Sequence, residues 1–259
     1  MIAGGQSLAP MLNMRLARPD HLIDINRLTE LGRVLADGEW LTIGAMVRHA
    51  QLQRDDLVKR HAPLLAYAAE TIGHYAIRQR GTFGGSLAHA DPAAQLPLAV
   101  LVLDAEFELL SAAGTRRIGA EAFFVSIFST ALEPDELLAA VHIPLPRRRE
   151  GWGFRLFNRR SGDFAIASVA ATLARGEGTA IERLRLAIGG IGPVPVRVDD
   201  LVPRECATTI GEGWSARIAS TVARAVEIED NERTPIVFRR ELVERLTRDA
   251  LNEALERAS

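Results

Sequence analysis

Arg80-Gly81-Thr82-Phe83-Gly84-Gly85-Ser86-Leu87-Ala88-His89-Ala90-Asp91-Pro92 decides the reading of this 259-residue chain. Two adjacent glycines followed by serine predict a tight turn over 82–86, because glycine accepts positive φ and lets the backbone come close to a ligand. Successive N–H groups at such a turn converge on an anion, and the serine hydroxyl adds a donor. Ala3-Gly4-Gly5-Gln6-Ser7 has the same design. It reads as the end of a strand, a glycine turn and a helix start, and a helix N-terminus favours negative charge further. Two such turns suit the two phosphates of a dinucleotide. Either one alone is equally an ordinary tight turn, and neither matches the G-x-G-x-x-G or P-loop patterns.

Working outward, 8–15 reads as a short helix that tolerates Pro10 in its first turn. Residues 22–25 and 40–43 alternate like strands, with Asp37-Gly38 as a turn signal between them. Helices are predicted over 47–54 and from Pro63, where Leu64, Leu65, Ala68 and Ile72 repeat at helical spacing. Asp91-Pro92 offers an N-cap and N1 proline for a helix through about Val102. Strands follow over 106–110 and 136–143, with Phe123-Phe124-Val125 as a core-packed loop or short helix between them. Pro144-Leu145-Pro146-Arg147-Arg148-Arg149-Glu150-Gly151 reads as an exposed linker between domains. Beyond it come strands over 164–173 and 184–188 and helices over 215–228 and 235–257. Leu242, Leu246, Ala250 and Leu251 share one face of the last helix. The fold class is α+β.

Composition bounds the function. Hydrophobic residues make up 47% and charged residues 25%, enough for a core and unlike a disordered chain. The longest apolar run, 96–103, is far short of the ~20 residues that span a bilayer. No basic region followed by a long apolar stretch opens the chain, so a cytoplasmic location is expected. The net charge of −2 gives no cause to expect nucleic acid or an anionic membrane. Cys206 is the single cysteine, which excludes an internal disulfide and a cysteine-held iron–sulfur cluster on this chain alone. His49, His61, His74 and His142 show no metal-ligand spacing and read as packing or surface residues.

The motifs combine into a resemblance. Ala-Gly-Gly-Gln-Ser-Leu from Ala3, Arg-Leu-Ala-Arg-Pro from Arg15, Leu-Ile-Asp-Ile-Asn-Arg-Leu from Leu22 and Thr-Ile-Gly-Ala-Met from Thr42 belong to it. So do the 80–92 stretch and Asn158-Arg159-Arg160-Ser161-Gly162-Asp163-Phe164-Ala165. Over nearly its whole length the chain resembles the FAD-binding medium subunits of molybdenum hydroxylases, of the aerobic carbon monoxide dehydrogenase and xanthine dehydrogenase type. The resemblance implies an FAD-binding region over 1–146, with an incomplete first subdomain at about 1–25 and a second at about 26–146. A C-terminal domain of a small antiparallel sheet, three-stranded in the family, plus helices would cover 151–259. FAD would lie between the subdomains with its pyrophosphate on the two glycine stretches. An iron–sulfur small subunit and a molybdopterin large subunit would carry the [2Fe-2S] clusters and the molybdenum cofactor, in a dimer of heterotrimers. Electrons would pass from the clusters through FAD to an external acceptor.

Residue by residue, Ala3, Gly4, Gly5, Gln6 and Ser7 match one pyrophosphate motif, and Thr82, Phe83, Gly84, Gly85 and Ser86 match the other. Gln95 stands where relatives often carry a carboxylate, Leu138 at an apolar contact, and Arg155 where some place a lysine. Phe154 stands where one branch has a tyrosine beside the isoalloxazine, so a ring remains without its hydroxyl. His89 and Asp91 follow the second motif as candidate flavin contacts, with a helix N-cap as the other reading of Asp91. Arg159-Arg160 with Asp163 reads either as a cofactor or interface network or as a solvated cluster. Family members carry a strand–helix unit ahead of the first motif, so the sheet of the first subdomain is expected to expose an edge. Two alternatives stay open: a stand-alone flavin oxidase or reductase, and a flavin-free scaffold subunit. Ser86 and His89 are too close in sequence to form a catalytic triad, and no nucleophile–base constellation is visible.

Overall fold

The computed structural model describes residues 1–230 and 234–258. Helix α1 (Leu8–Asn13) precedes a hairpin of β1 (Val34–Asp37) and β2 (Trp40–Gly44). Six helices follow: α2 (His49–Leu52), α3 (Asp56–His61), α4 (Pro63–Glu70), α5 (Tyr75–Arg80), α6 (Phe83–His89) and α7 (Gln95–Val102). Then come β3 (Glu106–Ser111), β4 (Gly114–Gly119), α8 (Ala120–Phe123), β5 (Phe124–Ser126), β6 (Ser129–Thr130) and β7 (Leu137–Pro144). The C-terminal part holds β8 (Glu150–Phe157), β9 (Ala167–Arg175), β10 (Ile181–Gly189), β11 (Val196–Arg197), α9 (Arg204–Thr208), α10 (Trp214–Ala225) and α11 (Ile236–Arg257).

The first sheet is antiparallel in the order β1-β2-β7-β3-β4. Its alternation sends Leu41, Ile43, Phe107, Leu109, Val141 and Ile143 into one core. On the other face Thr42, His142 and Glu108 form a hydrogen-bonded row, with 2.9 Å at each step. Helix α7 is apolar on every side and wholly buried, touching the core of the first sheet and the strands β9 and β10 of the second. The second sheet runs β11-β10-β9-β8; α11 lies on it, and α10 packs against α11 and shares its core. Gly151 and Gly153 let α11 lie directly on β8, since a Cβ on either would meet the helix backbone within about 2.0 Å. The α11 face of Leu242, Leu246, Ala250 and Leu251 is buried as the periodicity predicts. Asp104, after α7, joins the two parts through Arg185 at 3.0 Å and Arg197 at 2.6 Å.

The α+β class is borne out, and the departures from the sequence reading have physical causes. The 22–25 strand reduces to one parallel bridge between Ile2 and Asp24, and no strand longer than that bridge falls within residues 1–33. The 47–54 helix shrinks to α2 because Arg48 instead bridges Thr82. Asp91 does not cap α7: its carboxylate accepts from the Ala93 N–H at 2.9 Å, and the helix starts at Gln95 with Pro97 in its first turn. The linker stretch is shorter than read, because β7 runs through Pro144 and β8 starts at Glu150. The C-terminal sheet has a short fourth strand, β11, beside the three implied by resemblance. Among the described residues, no helix is long and apolar enough to cross a membrane.

Candidate functional site

The two glycine stretches meet. A Cβ at Gly4 would stand 2.2 Å from the Arg80 carbonyl oxygen and 2.9 Å from the Gly81 Cα, so only glycine fits there. The first stretch is a true turn: Gly5 sits at φ +69°, and the Ala9 N–H reaches back to its carbonyl at 3.0 Å. The N–H groups of Gly4, Gly5, Gln6 and Ser7 have no acceptor among the described residues. A row of free amides at a left-handed glycine is a nest for an anion.

The second stretch departs from the predicted turn. Thr82 is the N-cap of α6, and Gly84 and Gly85 lie inside the helix at ordinary negative φ. Its amides are already engaged. The Phe83 N–H donates to Val47 O and the Gly84 N–H to Ala45 O, both at 2.8 Å. The Gly85 N–H donates to Thr82 Oγ1 at 3.2 Å, and the Ser86 N–H to Thr82 O at 3.1 Å. Gly84 is required for packing, because a Cβ there would meet the Ala45 Cβ at 2.4 Å. Gly85 and Ser86 face outward, so this stretch offers a bare wall and a hydroxyl rather than a row of amides.

Beneath the meeting point lies Arg48-His49, where the sequence reading placed no role beyond packing. The His49 ring is buried, its Nε2–H donates to Thr82 O at 2.9 Å, and its Nδ1 has no partner. Burial lowers its pKa to about 4, so the ring is neutral near pH 7. Burial and the neighbouring Arg80 charge also lower the pKa of Arg48. Asp24, just beyond Asn26, has its pKa lowered by accepting hydrogen bonds from the Asn26 backbone and side chain. The signal that would have found Asn26 and Arg48 is long-range: their partners lie about 20 to 30 residues away.

The other predicted residues divide. His89, in the last turn of α6, stacks on the exposed Phe128 ring with centroids 4.8 Å apart. Gln95 is buried at the start of α7, and Leu138 is buried in β7. Neighbours on a strand point to opposite faces. Phe154 is buried against Tyr67, while Arg155 pairs with Glu253 of α11 at 3.1 Å. Both border a cleft of about 420 Å³ that Tyr67, Thr71, Ser161 and Gly162 also line. Gly162 rests on Gly73-His74, just ahead of α5, whose last residue Arg80 carries the Gly4 contact. A larger cleft of about 450 Å³, around Arg197 and Asp199, holds none of the predicted site residues.

The free amides and the close glycine contact suit a diphosphate group. Residues 1–146 match the family described as the FAD binding domain in molybdopterin dehydrogenase. Residues 152–254 match the CO dehydrogenase flavoprotein C-terminal domain. The molecule is therefore an FAD-binding flavoprotein subunit of the oxidoreductase class. It is 38% identical to the nicotine 6-hydroxylase medium subunit of Paenarthrobacter nicotinovorans, over 98% of this chain and 89% of the relative. To the carbon monoxide dehydrogenase medium chain of Hydrogenophaga pseudoflava it is 36% identical, over 76% of this chain and 68% of the relative. A solved carbon monoxide dehydrogenase from Hydrogenophaga pseudoflava superposes with a TM-score of 0.94 at 30% identity, covering 100% of this chain and 90% of that one. The chain belongs to the FAD-binding medium subunits of molybdenum hydroxylases.

Proposed function

We propose that this chain is the electron-transfer subunit of a multi-subunit molybdenum hydroxylase. Its partners in this reading are an iron–sulfur small subunit and a molybdopterin large subunit, assembled as a dimer of heterotrimers in the cytoplasm. The FAD-binding region occupies 1–146 and the C-terminal domain 151–259. FAD, when bound, supplies the redox chemistry, linking electrons delivered by the clusters to an external acceptor. The chain's own residues bind and orient. Ala3, Gly4, Gly5, Gln6 and Ser7 present amides to the diphosphate. Thr82, Phe83, Gly84, Gly85 and Ser86 form the opposing wall. His89, Asp91, Gln95 and Leu138 border the nucleotide, and Phe154 packs the flavin side. Arg155 adds a charge there that Glu253 already balances.

The observation that carries this reading is the contact of Gly4 with Arg80-Gly81 beside four free amides. The names of the relatives support the partners, since several are called subunits or medium chains of dehydrogenases or of a hydroxylase. A single cysteine is too few to hold an iron–sulfur cluster, so any cluster that feeds the flavin in this reading sits on another chain. The test is a titration of the full chain with FAD, followed by addition of the two partner subunits and their substrate. Flavin should bind non-covalently and bleach only when both partners are present. A correctly folded full chain that takes up no flavin sinks the reading, and turnover of an organic substrate by the chain alone would replace it with a stand-alone flavoenzyme.

A further inference from the structure

Residues 1–26 are lightly tied to the rest of the molecule. Among the described residues, one hydrogen bond joins them to anything beyond residue 28: Arg48 Nη2 donates to Asn26 Oδ1 at 2.7 Å. The same Asn26 side chain donates through Nδ2 to Ala3 O at 2.8 Å, the first residue of the first glycine stretch. The other end of the Arg48 fork donates through Nη1 to Arg80 O, the atom that Gly4 packs against. Next door, the His49 N–H donates to Gly81 O at 3.0 Å. A continuous relay thus runs from Ala3 through Asn26 and Arg48 to Arg80. It is held at its exposed end by Asp24, whose Oδ1 accepts from the Asn26 N–H at 2.9 Å and from Nδ2 at 2.6 Å.

We propose that Asn26 and Arg48 are positioning residues for the diphosphate of the cofactor: their relay fixes the spacing and angle of the two glycine stretches. This rests on the FAD reading above. The chemistry fits the residue types. An Asn amide can donate on one side and accept on the other, which the link from Ala3 O to a guanidinium requires. Arginine offers a planar fork that reaches Asn26 and Arg80 at once, whereas lysine is a point charge on a flexible stem. Neither side chain needs to touch the ligand. Their effect is to hold pre-formed a row of amides that would otherwise have to be ordered at the moment of binding.

The test measures FAD and ADP binding to the full chain, ADP carrying the diphosphate without the flavin ring. Asn26→Ala, at an exposed position, should leave the melting temperature within a few degrees. It should weaken both ligands by roughly tenfold or more, the effect of losing a hydrogen bond to a charged group. Arg48→Met should do the same, and Arg48→Lys should fall between. The double variant should lose no more than the worse single one, because the two residues act through one another. Strictly additive losses, or wild-type affinity in Asn26→Ala, overturn the proposal. If the wild-type chain itself binds neither ligand, the FAD reading fails instead. If Arg48→Met does not fold, Asn26→Ala and Arg48→Lys carry the same test.

Discussion

The two glycine stretches share letters and differ in physics. In 3–7 glycine serves conformation and contact: Gly5 needs its positive φ, Gly4 needs to touch Arg80, and the amides stay free. In 82–86 glycine serves packing inside a helix, and every amide from Phe83 to Ser86 is already bonded. One stretch is a lightly held donor surface, and the other is part of the core. A paired glycine therefore marks where a backbone must come close to something. What it approaches is set by elements far away in sequence.

This contrast can be broken most forcefully at Gly4. Gly4→Ala places a Cβ against the Arg80 carbonyl, a backbone atom that can yield only by moving the two stretches apart. FAD affinity should fall about a thousandfold, ~4 kcal/mol, with little change in thermal unfolding. Equilibrium titration against wild type checks it, and an unchanged Kd would show that the close contact is not part of the cofactor site.

Acid should strike the other stretch. His49 is buried neutral with a pKa of about 4 against an ordinary 6.5, so the unfolded chain takes up a proton that the folded chain refuses. The stability it contributes is complete above 6.5 and is lost as pH falls toward about 4. This window spans roughly 3 kcal/mol. Glu136, held at about 2 by Arg116, is also depressed, and its contribution disappears in the lower window as pH falls from 4.5 toward 2. Denaturant midpoints measured between pH 7 and pH 4 should show the first loss, and His49→Gln should flatten it. A midpoint that does not move across that range would mean that the Nδ1 side of the ring is hydrated.

Much of this architecture was legible because it is local. The alternation of 40–43 and 106–110, the helical spacing of 235–257 and the apolar run of 96–103 each state their own burial. The parts that were not legible depend on distant partners. Nothing near 47–48 announces that the chain pairs with Thr82 instead of continuing as helix. Residues 22–25 alternate like a strand but find only Ile2 to pair with. At the site, the two glycine stretches could be located from sequence, yet their unequal use of amides depends on the carbonyls of Ala45 and Val47. Asn26 and Arg48 were invisible for the same reason.

The gentler tests lie in the second stretch. Gly84→Ala drives a Cβ into Ala45 within the core, so it should cost about 2 kcal/mol of stability. The melting temperature should drop by several degrees, and FAD affinity should change less than in Gly4→Ala. Thr82 allows the finest distinction. Its Oγ1 caps α6 by accepting the Gly85 N–H, while its carbonyl takes the His49 ring proton and the Ser86 N–H. Thr82→Ala removes only the cap, worth about 1 kcal/mol, and Thr82→Ser should restore it. Losing the cap also frees the Gly85 amide at an exposed position. If the second stretch is a wall, Thr82→Ala weakens the fold slightly and leaves ADP affinity unchanged or lower. If ADP binds more tightly to Thr82→Ala than to wild type, the released amide is acting as a donor, and the two stretches are closer in kind than their hydrogen bonds suggest.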